Sequence, residues 1–360
     1  MSGVASVQVG TDFERFLADG GSATLAAQES PFMTKEWIVA WRRHFGAGRE
    51  QIFAVGGADG RGGLLLAQIK DESYNGVPLR ILRSFVNSHS VRAALFVGAQ
   101  PALVAKTLAT SIEVRHSEWD VLRLQGVSGE NDFARLLCDA LSQLNCPAHI
   151  ERTWAHDALR FPDSWANYYQ GLSKETRRVR ERMRRRMNEL GNLRAEKCCT
   201  PNELETGFAT FMDLERRSWK AQSGEVMASK TEVRGFYADI VKSFGRLGRC
   251  EIDLLYLNER CICALLSILH KGRVTTLKSS FDTAFAKYSP GWQLFRFVLE
   301  DHFVRSIKEV DFYSDLEFSK RWATTQHPFC DVIAFSPSWR GRMARVAKTG
   351  IGFFRQTFKP

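Results

Sequence analysis

The sequence has no stretch of the eighteen or so uninterrupted apolar residues that a membrane-spanning helix needs, and its opening residues, MSGVASVQVGTDFERF, hold no basic segment followed by an apolar run. Neither a spanning helix nor an export leader is expected, and the expected location is the cytoplasm. CxxC pairs are missing as well. The eight cysteines, at positions 138, 146, 198, 199, 250, 261, 263 and 330, sit mainly in apolar segments, which suits reduced thiols and gives no reason to expect a metal. No GxSxG element occurs, so the strained turn that presents a nucleophilic serine has no signal here. With 44% hydrophobic and 25% charged residues over 360 positions, disorder is excluded and the chain is long enough for two domains.

What is present is positive charge, unevenly placed. Lys174 to Arg186 holds eight basic residues against two acidic ones, a local +6, and Arg340 to Lys359 holds six bases and no acid, another +6. The net charge is +10, so the rest of the chain sums to −2 (10 − 6 − 6). Such patches attract phosphates, on a small ligand, a nucleic acid or a membrane surface. In the first patch Val179, Met183, Met187 and Leu190 share a helical stripe, which leaves the arginines to the other faces. In the second, Trp339, Met343, Val346, Phe353, Phe354 and Phe358 interleave with bases, a pattern suited to peripheral contact with an anionic membrane or to a plain chain end.

Periodicity gives a helix at Thr34 to Phe45, strands at 51–55, 63–70, 79–85 and 93–97, a helix at 101–115, a strand at 120–125, a helix at 132–144 and a strand at 148–153. A basic helix from Leu172, helices at 201–219 and 230–246, and strands at 250–257, 261–269 and 273–281 follow, with 310–313 and 330–335 closing the chain. The order helix, helix, three-strand meander, helix, strand, strand occurs in the second half and more roughly in the first. This predicts an α/β (α+β) fold of two similar domains, 1–155 and 172–338, with a basic amphipathic tail at 339–360.

One junction stands out. In LKSSFDTAFAKYSPGWQLFRFVLEDHF a strand ending near Phe281 leads through Tyr288-Ser289-Pro290-Gly291 into a helix with Trp292, Phe295, Leu299 and Phe303 on its buried stripe. Ser289 suits an N-cap, Pro290 the first helical position, and Gly291 leaves the backbone uncovered. The free N–H groups of Gly291, Trp292 and Gln293 with the positive helix end would suit an anion, and a capped helix without a ligand reads equally from the same residues.

Five phrases, SPFMTKEWIVAWRRHFG, LSKETRRVRERMRRRMNELG, LERRSWKAQSG, SSFDTAFAKYSPGWQLF and VDFYSDLEFSKRWATT, together resemble the GNAT acyltransferase superfamily, in particular its CelD-like branch associated with cellulose and exopolysaccharide genes. The tandem layout is similar to that of Fem-type peptidyltransferases. The resemblance implies two GNAT-like domains, each a mixed, mostly antiparallel sheet flanked by helices, and direct transfer from acetyl-CoA or another acyl-CoA to a small-molecule or glycan acceptor. It implies no nucleic-acid partner, except a tRNA under the Fem-like alternative; a non-catalytic polyanion-binding protein is the third reading. Where the family usually shows Gln/Arg-x-x-Gly-x-Gly/Ala, this chain reads Ala286-Lys287-Tyr288-Ser289-Pro290-Gly291 and keeps one glycine.

On this resemblance Tyr288, Ser289, Gly291, Trp292 and Gln293 would bind the donor. Asp311, sharing a strand face with Tyr313, is a candidate base or a strand-end salt bridge, and Asp282 is a turn acceptor or an orienting carboxylate. Lys320 falls in a phrase similar to the Phe-Lys element of Fem-type enzymes and would face the donor's charge, with Arg321 and Trp322 structural. His89 and Arg92 would come from the first domain toward the acceptor, and Arg217 and Trp219 from the ERRSW phrase.

Overall fold

In a computed structural model the chain is described for residues 7–56, 62–74, 77–162, 164–218, 227 and 230–357. It divides into two compact units, the first of residues 1–155 with 327–360 and the second of residues 156–326.

In the first unit the strands Val7–Gly10, Arg49–Val55, Gly63–Tyr74 and Val77–Ser84 pair antiparallel in that order. Val121–Ser128 then runs parallel to Val77–Ser84, with Ile81 opposite Val121. The helices Pro101–Val114 and Phe133–Gln143 bury residues at the same spacing, Val104, Ala105, Leu108, Ala109 and Ile112 on one and Phe133, Ala134, Leu137, Cys138 and Leu141 on the other. That spacing makes one apolar stripe per helix, and both stripes share a core with Leu65, Leu82, Trp119 and Leu124 of the sheet side. The strand predicted at 330–335 was expected to close the second domain. It forms within Thr325–Phe335 and pairs with Val121–Ser128, Phe329 opposite Ser128 through Phe335 opposite Val121. Its place is therefore in the first unit, because strand pairing follows register and burial rather than order along the chain.

The second unit repeats the scheme. Leu193–Cys198, Cys250–Leu257, Arg260–His270 and Arg273–Phe281 form an antiparallel meander, and Glu309–Asp311 lies parallel to the last of them. The end of Ala148–Arg160 completes the sheet, with Arg160 opposite Glu309 and Ala158 opposite Asp311. Leu255 and Leu257 face a core shared with Trp292, Phe295, Val298 and Leu299 of the helix Pro290–Val304 and Met187 of the basic helix Lys174–Asn188. Ile252, of opposite parity, faces the helix Pro201–Glu215, where Gly207 lets the backbone approach: a Cβ there would meet Cys198 Sγ at 2.8 Å and Ile252 Cγ2 at 3.5 Å.

Several boundaries differ from the periodicity reading. The helix expected to reach 219 ends at Glu215. The strand expected over 310–313 stops at Asp311, because Tyr313 takes a left-handed backbone, φ 52°. In the basic helix Met187 is buried as expected, but Arg180 is buried beside it, and Leu190 is left exposed.

On the strand and helix surface of the second unit, Lys197 Nζ lies 3.1 Å from Glu251, 3.0 Å from Asp253 and 3.1 Å from Asp301, while Arg305 pairs with Glu251 at 2.5 Å and Asp301 at 2.9 Å. Burial opposes the Glu251 charge, but the His302 ring nitrogen 3.6 Å away, the bond from Arg305 and the charge of Lys197 outweigh it and hold this carboxyl far below its usual range. At Asp253 burial wins over the Lys197 charge and pushes the carboxyl up. A depressed carboxyl contributes stability above its unfolded value, about 4.3 for Glu, and loses that contribution as pH falls toward the folded value. Asp253 has the opposite sign, easing as it protonates. Lys197→Met removes one of the two basic side chains that hold three carboxylates, so at pH 7 urea melts should show a loss of about 3–5 kcal/mol. A loss under about 1 kcal/mol would mean that the network is solvated like a surface pair.

Candidate active site

The site begins where two parallel strands part. Pairing of Arg273–Phe281 with Glu309–Asp311 runs from Arg273 opposite Glu309 to Thr275 opposite Asp311 and stops. Beyond it the Thr276 hydroxyl donates to the Phe312 carbonyl at 2.9 Å, and the Tyr313 N–H donates to Asp311 Oδ1 at 2.9 Å, turning the chain away. The longer strand continues to Phe281, held on its other side by Arg260–His270, with a register shift between Leu266 and Ser267 that leaves Leu277 as the extra residue. From 277 to 281 one edge has no strand partner among the described residues. A cavity of about 520 Å³ opens against that edge, lined also by Phe312, Tyr313 and Ser314 and by the start of the helix Pro290–Val304.

The helix start carries the charge. Ser289 adopts φ 52°, ψ 59° and makes no side-chain cap, so it turns the backbone rather than capping it as expected. Its carbonyl accepts from the N–H groups of Trp292 at 3.0 Å and Gln293 at 3.3 Å. Pro290 has no N–H, so Gly291 has the open amide of this turn, in place of the three expected. A Cβ at Gly291 would meet only Phe318 Cε2 at 3.8 Å. Two guanidinium groups stand beside it. Arg180 is 8% exposed, its Cζ lies 4.5 Å from the centre of the Trp292 ring, and it lines the cavity with Arg321. Burial, with the like charge of Arg321, pushes the Arg180 guanidinium down to about 10. Among the described residues neither arginine has a carboxylate partner. Two like charges meet at the positive end of a helix dipole, an arrangement that an anion would relieve.

A hydroxyl chain leads from the cavity to a buried acid. Ser314 and Ser319 line the cavity. Ser314 Oγ donates to Ser319 Oγ at 3.2 Å, and Ser319 Oγ donates to Asp157 Oδ2 at 2.6 Å. Asp157 is 1% exposed and also accepts from Gln326 Nε2 at 2.8 Å. This carboxylate can take a proton from the cavity without facing it.

The residues singled out in the sequence fall in several places. Ser289, Gly291 and Trp292 line the cavity; Trp292 stacks on Trp322 with ring centres 4.1 Å apart. Gln293 is buried and its amide nitrogen approaches the Arg180 carbonyl at 3.5 Å. Tyr288 is half-buried, with Lys287 Nζ 5.0 Å from its ring centre. Asp282 is 2% exposed and its oxygens are taken by Arg217 at 3.0 Å, Arg260 at 2.6 and 3.0 Å, and the Ala284 N–H at 3.1 Å. Both Asp282 and Arg217 are thus committed to an ion-pair cluster that fastens the turn before Tyr288. Asp311 is buried behind the point where the strands part. Lys320 is exposed, 3.1 Å from Glu317, and borders a shallow groove with Asp157 and Gln326 rather than the cavity. Trp219 lies outside the described residues.

His89 and Arg92 belong to the first unit, in the segment 85–94 that closes the corresponding slot there. Ala93 N–H donates to Gly126 O at 3.0 Å, and Gly126, at φ 69°, passes so close that a Cβ would stand 2.1 Å from the Val91 carbonyl. Arg92 lies over the rings of Phe32 and Phe329, and the His89 ring stacks on Phe45 at 6.0 Å.

Arg180, Ser319 and Asp157 were not singled out, and Arg321, expected to be structural, lines the cavity. Arg180 was hidden among eight bases, although its position next to Val179 and Met183 on the helix was a signal that one arginine must turn inward. Among the described residues no group of three or more His, Cys, Asp and Glu side chains is placed to hold a metal.

Residues 174–321, less than half of the chain, match the family model for an acetyltransferase (GNAT) domain. The chain is similar in structure to a conserved protein of unknown function from Bacteroides thetaiotaomicron, at 12% identity over 92% of this chain and 100% of that one, with a TM-score of 0.56. It is similar to FemX at 10% identity over 87% and 95%, TM-score 0.55, and to the C-terminal domain of a putative lysylphosphatidylglycerol synthetase from Agrobacterium fabrum at 11% identity over 92% and 96%, TM-score 0.50. At these identities the likeness concerns the fold. No curated protein matches the sequence.

An arginine that holds the fold together is costly to remove, whereas one held against its own kind is not. Arg180→Met keeps the packing on Trp292 and removes the repulsion, so urea melts without ligand should move by less than about 1 kcal/mol, in either direction. A loss above about 3 kcal/mol would assign Arg180 to structure.

Proposed function

We propose that the second unit transfers an acyl group from an acyl-CoA thioester, acetyl-CoA in the simplest case, directly to an amine or hydroxyl of a sugar or envelope-polymer precursor. The observation that carries this reading is the pair Arg180 and Arg321, set without a carboxylate at a helix N-terminus and opening into a cavity along an unpaired strand edge. The residues fit the donor's chemistry. Arg180, Arg321 and the Gly291 N–H would hold its phosphates, and Trp292 and Phe318 bound the space beside them. Backbone N–H groups of the open edge between 277 and 281 would donate to the thioester oxygen as negative charge develops there.

The acceptor's nitrogen or oxygen forms a bond to the carbonyl carbon, the carbon–sulfur bond breaks, and the sulfur leaves with the proton that the acceptor gives up. Ser314 and Ser319 would carry that proton to Asp157 while the bond forms and return it as the sulfur leaves. An amine with a lysine-like pKa costs about 4–5 kcal/mol to deprotonate at pH 7, so such a relay has a task. The glycan or envelope class of acceptor, and the CelD-like branch, rest on the five sequence phrases. Lys320, Asp311, His89 and Arg92 remain candidates for contact with acceptor or donor outside this cavity, while Asp282 and Arg217 would act through the position of the turn.

A second reading takes an aminoacyl-tRNA as donor. The observation favouring it is that Lys174, Arg178, Arg182, Arg185 and Arg186 of the same helix are exposed, a row of charge longer than a CoA needs.

Thermal shift separates the two. CoA should raise the melting temperature of the chain, and tRNA should not. Gly291→Val puts a side chain into the phosphate position while meeting nothing nearer than 3.8 Å in the fold. Calorimetry should then show CoA affinity weakened by about 1–3 kcal/mol, roughly 5- to 150-fold, with stability changed by under about 1 kcal/mol. Unchanged CoA affinity in this variant would sink the assignment, and stabilisation by aminoacyl-tRNA with none by CoA would favour the second reading.

A further inference from the structure

The last helix, Trp339–Thr357, has two faces in its described part. Its inner face is Gly341, Ala344 and Lys348, three and four residues apart. Gly341 sits so close to the chain that a Cβ would stand 2.3 Å from the Ser336 carbonyl, Ala344 is 6% exposed among Leu79, Ile81, Val121, Ile333 and Phe335, and Lys348 pairs with Glu151. At 100° per residue the opposite side carries Trp339, Met343 and Val346, and these are 69%, 58% and 66% exposed. Arg340 and Arg342 flank this stripe on its two sides, with Arg340 Cζ 5.3 Å from the Trp339 ring centre. From Arg340 to Lys359 the sequence has six bases and no acid.

A helix that only covered its sheet would turn polar side chains outward on the face away from the core. Here the outward centre is apolar, an indole is among its members, and the borders are cationic. We propose that this face rests on an anionic phospholipid surface, with Trp339, Met343 and Val346 at the level of the headgroups and acyl-chain ends and the arginines on lipid phosphates. The argument is one of complementary chemistry: an apolar stripe with positive borders and no acid matches a layer that is apolar beneath and negative above. A nucleic acid would meet the bases but would leave the apolar centre of the face unused. Among the described residues no helix is long and apolar enough to cross a membrane, so the contact is lateral. The proposal is independent of the donor assigned to the second unit, since it concerns other residues on the first.

The test uses the full chain and sedimentation with vesicles. The chain should sediment with phosphatidylcholine vesicles that contain phosphatidylglycerol, much less with phosphatidylcholine alone, and less as salt is raised. The double variants Trp339→Ser with Met343→Ser, and Arg340→Gln with Arg342→Gln, should each lower the apparent vesicle affinity by at least about tenfold, because apolar burial and charge both contribute. Trp339, Arg342 and Met343 are exposed and Arg340 is half-buried at the border of the face, so melting curves should stay close to that of the parent chain, and CoA stabilisation should be untouched. No sedimentation with the anionic vesicles would overturn the proposal. So would equal sedimentation with neutral vesicles, undiminished binding by both double variants, or preferential binding to a duplex oligonucleotide.

Discussion

The separation of two parallel strands after Thr275 and Asp311 is the feature on which the second unit's chemistry depends. While strands stay paired, every backbone group is satisfied and no ligand can enter between them. Here the pairing lasts three residues, and the turn that ends it is fixed from both sides: Thr276 bonds the Phe312 carbonyl, and Asp311 receives the Tyr313 N–H in a left-handed backbone. The longer strand continues to Phe281 because Arg260–His270 holds its other edge. One edge is therefore rigid and open, which is what a site needs if hydrogen-bond donors are to be ready before charge develops. The buried Asp311 then belongs to the construction of the opening, even where a reading of the sequence makes it a candidate base.

A second constraint is the like charge at the helix start. Helix N-termini usually end their electrostatic demand with an acidic residue or a side-chain cap. The Pro290 helix has neither, and Ser289 turns away. Two arginines are then added, one of them almost fully buried. Each of these choices disfavours the unliganded fold slightly, and all three are reversed by one anion. The surrounding structure supplies the missing stability through neutral contacts, above all the Trp292–Trp322 stack and the aromatic cluster around Phe295.

The sequence made part of this legible. Alternation and helical spacing located the meander, the junction and the buried stripe of the Pro290 helix, and the proline and glycine at 290 and 291 marked its start. Local rules of this kind act over a few residues, and there they hold. What failed was whatever depends on residues far apart. Asp282 could be read as a turn acceptor or as an orienting carboxylate because nothing nearby shows that Arg217, 65 positions earlier, and Arg260, 22 positions earlier, take its oxygens. Asp157 gave no signal because its partner Ser319 is 162 positions away. Arg180 was one of eight bases with equal claim until packing chose it. Strand 330–335 went to the other unit because a strand's neighbour is set by register, which a single sequence does not display.

The two units share an order of elements, and the difference between them follows from one segment. In each, a meander leads to a strand that takes a parallel neighbour for three residues, Ile81 to Arg83 in the first and Arg273 to Thr275 in the second. In the second unit the strand runs on to Phe281 before a turn leads into the helix Pro290–Val304, and the slot stays open. In the first, residues 85–94 run back through the corresponding place, bonding to Leu66 and Gly126 and bringing Phe85 flat against Trp41 at 4.7 Å. Gly126 has to be glycine for this, since its left-handed backbone and the Val91 carbonyl together leave no room for a Cβ. The same topology thus leaves a cavity at this place in one unit and fills it in the other, and the choice is made by whether the chain between parallel strands covers the open edge or leaves it. His89 and Arg92, polar residues in a turn next to a strand, have the local look of a site, yet the segment that carries them is the one that closes the edge. Topology decides where a site can form, and the connecting segment decides whether it does.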